Sequence, residues 1–321
     1  MMEMPPLQFA QANGVLLAFY DAGPKDDATP FLLCHGFPEI AFTWRRQIKG
    51  LSEAGFRAIA LDQRGYGASD CPPEVEAYAI DRLAADLVGL LDHLRIDKAI
   101  IVGHDWGGYV VWETALRYPD RIAGVVSLNS PHVKRAPADP IAMLRARFGE
   151  RMYIVQFQDS REPDRILAEN VDRVFDAFLR GPLPPGAEAG GAGPGADQDF
   201  IASVQAFDPA KDRRTPIMSE AERQVFVEAF RRSGFTGGIN WYRNITRNWE
   251  NAAGRDRTIN APALMITAEL DPTQLPASGM DALVPNLTKH LVRGCGHWTQ
   301  EEKPDEVNAT IIDWRRRVLG Q

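Results

Sequence analysis

Cysteine is scarce in this chain. Cys34, Cys71 and Cys295 are its only three among 321 residues. They are too few and too scattered for a disulfide framework, and no Cys-x-x-Cys pair offers zinc ligands. Runs of Lys and Arg are also missing. The formal net charge of −7 is moderate and dispersed along the chain, which favours solubility and argues against nucleic acid or an anionic membrane as a partner. No uninterrupted apolar segment is long enough to cross a bilayer. The opening residues, Met1-Met2-Glu3-Met4-Pro5-Pro6, have neither the basic nor the apolar region of a secretory signal. A cytoplasmic protein is expected, and monomer and homodimer are equally compatible with the sequence. Gly-x-Ser-x-Gly occurs nowhere, which counts against a serine esterase, lipase or peptidase.

Hydrophobic residues make up 45% of the chain, enough for one large domain with a second inserted into it. Short apolar runs alternate with amphipathic stretches, the pattern of a mostly parallel sheet flanked by helices. Phe31–Cys34, Ala58–Leu61, Ala99–Val102, Val125–Leu128, Ala263–Thr267 and Thr288–Val292 read as strands. Arg82–Leu94, Tyr109–Tyr118 and Glu306–Val318 read as helices, the first with Leu83, Leu87, Leu90, Leu91 and Leu94 on one face. The middle of the chain is helical, aromatic and rich in Arg, with no convincing strand. The expected organisation is an α/β core from residues 1–134 and 251–321, with a helical cap over 135–250. Within the cap, the Gly/Pro/Ala-rich stretch Gly181–Gln198 reads as a flexible surface loop.

The most informative segment is Val102-Gly103-His104-Asp105-Trp106-Gly107-Gly108. A buried strand runs through a sharp turn into a helix, with small residues on both sides of Asp105. That is the pattern of a nucleophile projected at the carboxyl edge of a sheet. An Asp there is already ionised at neutral pH, unlike a hydroxyl, and can displace a leaving group from an sp³ carbon to form an alkyl ester. The helix N-terminus should favour its charged form; a simple N-cap is the plainer role for the same residue. Two more residues follow in the order nucleophile, acid, histidine. Asp271 lies in the turn after Ala263–Thr267, with Glu269 as the fallback acid. His297 lies in the glycine-flanked loop Gly294-Cys295-Gly296-His297-Trp298. Asn129, after Val125–Leu128, occupies an alternative acid position but cannot serve as the acid. An imidazole there can activate water against the ester while Asp271 orients it. The loop His35-Gly36-Phe37-Pro38-Glu39 should give the Phe37 N–H, with the Trp106 N–H, to an oxyanion hole. The Gly-x-Gly of Asp62-Gln63-Arg64-Gly65-Tyr66-Gly67 is too short for a dinucleotide fingerprint and reads as structural.

These segments, together with Gly296-His297-Trp298-Thr299-Gln300, resemble the epoxide hydrolases of the α/β-hydrolase fold, particularly the hydrolase domain of soluble epoxide hydrolases. The resemblance spans nearly the whole chain and implies the α/β-hydrolase fold with a cap. It also implies two cap tyrosines that hydrogen-bond the epoxide oxygen. Tyr153, in Met152-Tyr153-Ile154-Val155-Gln156-Phe157, and Tyr242, in Asn240-Trp241-Tyr242-Arg243-Asn244, match them. The chemistry agrees, because ring opening makes an alkoxide that needs a strong donor, and a phenol stays protonated at neutral pH. Trp106, Phe157 and Pro38 are expected to line the pocket around a small-molecule epoxide. No metal or organic cofactor is implied. The core motifs also resemble haloalkane and haloacid dehalogenases, which would use the same Asp105, His297 and Asp271, with Trp106 helping to bind halide.

Overall fold

The computed structural model describes residues 4–184, 199–273, 277 and 279–320. Eight strands form one sheet: β1 (Gln8–Ala12), β2 (Val15–Ala22), β3 (Phe31–Cys34), β4 (Ala58–Leu61), β5 (Ala99–His104), β6 (Ile122–Leu128), β7 (Ala263–Ala268) and β8 (Leu287–Val292). Their spatial order is β1-β2-β4-β3-β5-β6-β7-β8. The β1–β2 and β2–β4 pairs are antiparallel, and every later pair is parallel. The central strands are apolar on both faces because helices cover both. Alternation along β3 sends Leu32 and Cys34 to one core and Phe31 and Leu33 to the other.

The helices on the core are α1 (Arg45–Glu53), α2 (Ile80–His93) and α3 (Trp106–Arg117), with α12 (Thr299–Glu302) and α13 (Pro304–Leu319) near the end of the chain. Leu83, Leu87, Leu90 and Leu91 of α2 are buried together, each contributing about 1.5–3 kcal/mol relative to exposure. On the other face α1 and α13 bury Ile48, Leu51, Ile311 and Trp314 in one cluster with residues of β3 to β7. The expected strands and helices are found within a few residues of their predicted limits. The β1–β2 hairpin and α1 are additions to them.

The segment between β6 and β7 carries α4 (Pro140–Phe148), α5 (Tyr153–Asp159), α6 (Glu162–Glu169), α7 (Val171–Phe178), α8 (Phe200–Ala206), α9 (Glu220–Ser233), α10 (Thr236–Arg243) and α11 (Ile245–Asn251). Among its described residues the only β pairing is an isolated Arg180–Pro216 bridge. Most of the Gly181–Gln198 stretch, residues 185–198, lies outside the described residues. The two ends of the insertion are cross-linked. Arg135 Nε donates to the Trp249 carbonyl at 2.8 Å, Trp249 Nε1 donates to Ala136 at 2.8 Å, and the guanidinium lies 3.9 Å over the indole. Over the sheet edge, Trp241 Nε1 donates to the Arg64 carbonyl at 3.2 Å and Asn244 Nδ2 to the Val75 carbonyl at 2.6 Å. Buried Arg45 joins Glu222, in the capping box of α9, to Glu301 of α12. These bonds hold the helical layer above the carboxyl ends of the parallel strands, where α/β folds place their sites.

Candidate active site

Asp105 joins β5 directly to α3 with φ 51° and ψ −122°. A non-glycine residue in that region stores about 1–3 kcal/mol and persists only where its surroundings enforce it. The enforcement is steric. A Cβ at Gly103 would lie 2.2 Å from the Gly107 carbonyl oxygen, and one at Gly107 would lie 2.1 Å from that of Cys34. Although Asp105 sits at the N-cap, its side chain makes no capping bond. Its carboxylate turns instead toward the loop after β3, where Oδ1 accepts the Phe37 N–H at 2.9 Å, and the Trp106 N–H lies near enough to favour the charged form. Both backbone donors expected from the sequence therefore meet at one carboxyl group. Ser130 Oγ fixes the turn by donating to the Asp105 carbonyl at 2.7 Å. Burial pushes the Asp105 pKa up; His297, His104 and the two N–H groups oppose this without cancelling it. The helix N-terminus alone suggested the opposite shift, because the enclosure of the site is invisible in a linear sequence.

His297 is half-buried beside this group. Its Nδ1 lies 3.0 Å from Asp271 Oδ2 and 3.1 Å from Thr273 Oγ1, and Thr273 also donates to Asp271 Oδ1 through its hydroxyl at 2.8 Å and its N–H at 2.9 Å. Burial lowers the imidazole pKa, but the charge and hydrogen bond of Asp271, with Asp105 and Glu39 behind them, carry it up to about 9. Burial raises Asp271, yet the same pairing, with the Thr273 bonds, brings it down to about 2. Glu269 accepts from the Gly294 N–H at 2.8 Å and pairs with Arg293, so the fallback acid is engaged elsewhere. Asn129 Nδ2 donates to the His297 carbonyl and to Thr299 Oγ1, both at 2.8 Å. His104 Nε2 is 2.8 Å from the same carbonyl, with Glu39 on its other nitrogen at 2.8 Å. The roles of Asn129, Thr273, Glu39 and His104 escaped the sequence reading.

Aromatic rings close the site. Tyr153, the first residue of α5, and Tyr242 of α10 have centroids 5.8 Å apart. The Tyr242 ring lies against both Tyr153 and the Trp106 indole, and each of these neighbours influences its hydroxyl or is influenced by it. Burial raises the pKa of both phenols, and Asp105 adds to the rise in each, so both remain protonated. Phe157 lies 5.2 Å from Tyr242 and 6.0 Å from Phe37, and Trp106 lies 5.0 Å from Tyr242. Phe200, which no motif signalled, joins the same wall at 5.9 Å from both Tyr153 and Phe157. Pro38 is buried and follows Phe37 through a cis peptide bond. The Asp62–Gly67 loop buttresses the site: Asp62 accepts the Ala41 and Ala68 N–H groups, and Arg64 pairs with Asp86. Among the described residues, no group of three or more His, Cys, Asp and Glu side chains is placed to hold a metal ion. No helix among them is long and apolar enough to cross a membrane.

Comparison with known proteins gives the family. Residues 29–304 match the family described as alpha/beta hydrolase fold. The chain is 39% identical over 322 residues to Epoxide hydrolase A of Mycobacterium tuberculosis, covering 98% of each. It is 38% identical over 315 residues to Bifunctional epoxide hydrolase 2 of Sus scrofa, covering 94% of this chain but 53% of that one, so it spans about half of the mammalian relative. The crystal structure of Epoxide Hydrolase A from Mycobacterium thermoresistibile superposes with a TM-score of 0.86 at 39% identity, covering 97% of this chain and 98% of the other.

Proposed function

This chain belongs to the epoxide hydrolases of the α/β-hydrolase family, and from that premise we propose that it converts an epoxide and water to a vicinal diol through an ester on Asp105. The observation that carries the proposal is a carboxylate held on two backbone N–H groups beneath two protonated phenols, with a histidine–aspartate pair beside it. Residues 135–250 act in this reading as the cap that brings the phenols to the core.

Tyr153 and Tyr242 donate to the oxirane oxygen while a carboxylate oxygen of Asp105 attacks a ring carbon. The ring C–O bond breaks, its electron pair passes to oxygen, and a phenol proton neutralises the alkoxide. The oxygen already bonded by the Phe37 N–H is the one suited to become the ester carbonyl, which leaves the other oxygen as the nucleophile. Esterification removes the negative charge of Asp105, one of the influences holding the His297 pKa high. The imidazole pKa therefore falls, and it releases its proton to solvent and stands in the neutral form that can act as a base, regaining that proton when the Asp105 charge returns. It takes a proton from water as the oxygen attacks the ester carbonyl carbon. The Phe37 and Trp106 N–H groups hold the oxyanion. Collapse breaks the acyl C–O bond, the diol leaves with a proton from His297, and ionisation of the restored Asp105 returns a proton to the phenolate. Every proton and electron pair is supplied by these side chains and water, so the reaction requires no cofactor. Halide departs as a weak base and needs only weak donors, so the phenol pair favours an epoxide over a haloalkane.

A single turnover in heavy-oxygen water tests the route. The first diol should be unlabelled and the peptide holding Asp105 should gain the label. Label in that first diol would mean direct attack by water and would reject the ester.

A further inference from the structure

Another phenol rises from the core side of the same chamber. Tyr109 lies four residues beyond Asp105, one turn into α3. Side chains in a helix lean toward its N-terminus, so this ring leans toward the end of α3 that Asp105 opens. Its edge contact with Trp106, at 5.7 Å and 68°, fixes it on the side of the site lined by that indole. Asp105 and Asp271 both act electrostatically on its hydroxyl, and Tyr109 in turn acts on Tyr153. With the Trp106 contact, these influences place the phenol in the neighbourhood of the nucleophile, the acid partner of His297 and a cap tyrosine. The ring is half-buried, and its hydroxyl makes no hydrogen bond to any described residue.

A protonated donor without a protein acceptor, facing a substrate chamber, selects for an acceptor on the substrate. In the reading above, the oxirane oxygen is engaged by Tyr153 and Tyr242 and a ring carbon by Asp105. Tyr109 is then left for the substituent. The two carboxylates on this side, Asp105 and Asp271, outweigh the single His297 imidazolium and disfavour an anionic group, so the matching acceptor is a neutral oxygen. We propose that Tyr109 is a specificity-determining residue that donates a hydrogen bond to an ether or hydroxyl oxygen beside the oxirane, so that glycidyl ethers and related oxygenated epoxides are favoured over hydrocarbon epoxides. This inference rests on the epoxide hydrolase reading.

A matched pair of substrates isolates the bond. Phenyl glycidyl ether and 4-phenyl-1,2-epoxybutane differ by an ether oxygen in place of a methylene. For the wild type and Tyr109→Phe, kcat/KM is measured on both, and the ratio of the two cancels their different intrinsic reactivities. Loss of one neutral hydrogen bond should lower the ether-to-methylene ratio about fivefold to tenfold in Tyr109→Phe, with the methylene substrate changed less than about twofold. An unchanged ratio in an active enzyme, or an equal loss on both substrates, would overturn the assignment of Tyr109 alone. No diol from either substrate with the wild type would overturn the epoxide reading, and this inference with it.

Discussion

Replacing Asp271 by Asn removes one charge from the site and leaves its shape nearly intact. The Asp271 carboxylate lies 3.0 Å from His297 Nδ1, and its side chain is fully buried. Opposite charges about 4 Å apart, taken between charge centres, interact by about 4 kcal/mol at an effective dielectric of about 20. At 1.36 kcal/mol per pH unit, that corresponds to about 3 units of imidazole pKa. His297 should therefore fall from about 9 toward or slightly below its ordinary value of about 6.5. Proton NMR of the histidine ring C–H signals against pH reads this directly, with His297→Gln assigning the resonance. The rate should respond differently in the two chemical steps. In the proposed route, alkylation of Asp105 does not use the imidazole as a base, whereas hydrolysis of the ester would lose both its oriented tautomer and the stabilised imidazolium. By analogy with other acid–histidine pairs, hydrolysis should slow by about 10²–10⁴-fold. Rapid-quench mass spectrometry should find ester on the Asp105 peptide during turnover. A His297 that still titrated near 9 in Asp271→Asn, or an ester hydrolysed at the wild-type rate, would refute the pairing.

Gly36→Ala should abolish most turnover without unfolding the protein, because the added Cβ would lie 2.5 Å from both Cβ and Oδ1 of Asp105. Circular dichroism alongside a diol assay separates the two effects, and near-normal kcat would contradict the packing. Asp86→Ala leaves the buried Arg64 guanidinium without its two-pronged partner, at 2.8 and 2.6 Å, and should destabilise the fold by about 3–5 kcal/mol in urea titrations. A change under about 1 kcal/mol would count against a structural role for that pair. His297 should also shape stability against pH. Its folded pKa of about 9 exceeds the unfolded value of about 6.5, so its contribution is complete below about 6.5 and is lost as pH rises through about 9. The stability advantage of the wild type over His297→Gln should shrink across that window, and a constant or growing advantage would contradict the raised pKa.

The parallel strands were legible because burial on both faces leaves unbroken apolar runs such as Ile100-Ile101-Val102. The β1–β2 hairpin was not, since β1 shows only two buried positions, Ala10 and Ala12. Its turn nevertheless carries a recognisable Asn13-Gly14 pair, with φ 47° and 78°, a hairpin signature. Helix α1 was missed for a related reason: two arginines at its start and Gly50 within it obscure the apolar face of Ile48 and Leu51. At the site, the sequence singles out Asp105, Asp271 and His297 because each lies in a short segment of distinctive composition, and the fold brings the three together. Their supports could not be read that way. Glu39 meets His104 across 65 residues, and His104 meets the His297 carbonyl across 193. Only the assembled sheet brings such partners together. Asn129 shows the limit well: dismissed as an acid, it proves to tie the His297 carbonyl and, through Oδ1, the Ala268 N–H of β7.

The two backbone donors that grip the Asp105 carboxyl have a consequence for selectivity. In related folds such a pair welcomes a carbonyl arriving from outside. Here, at rest, it is filled by the protein's own carboxylate. A foreign ester or amide meets a negatively charged plug where it would need to dock. In the proposed route such compounds should be turned away by charge and prior occupancy, however well they fit, and the seat accepts an acyl group only once the carboxyl of Asp105 has itself become one.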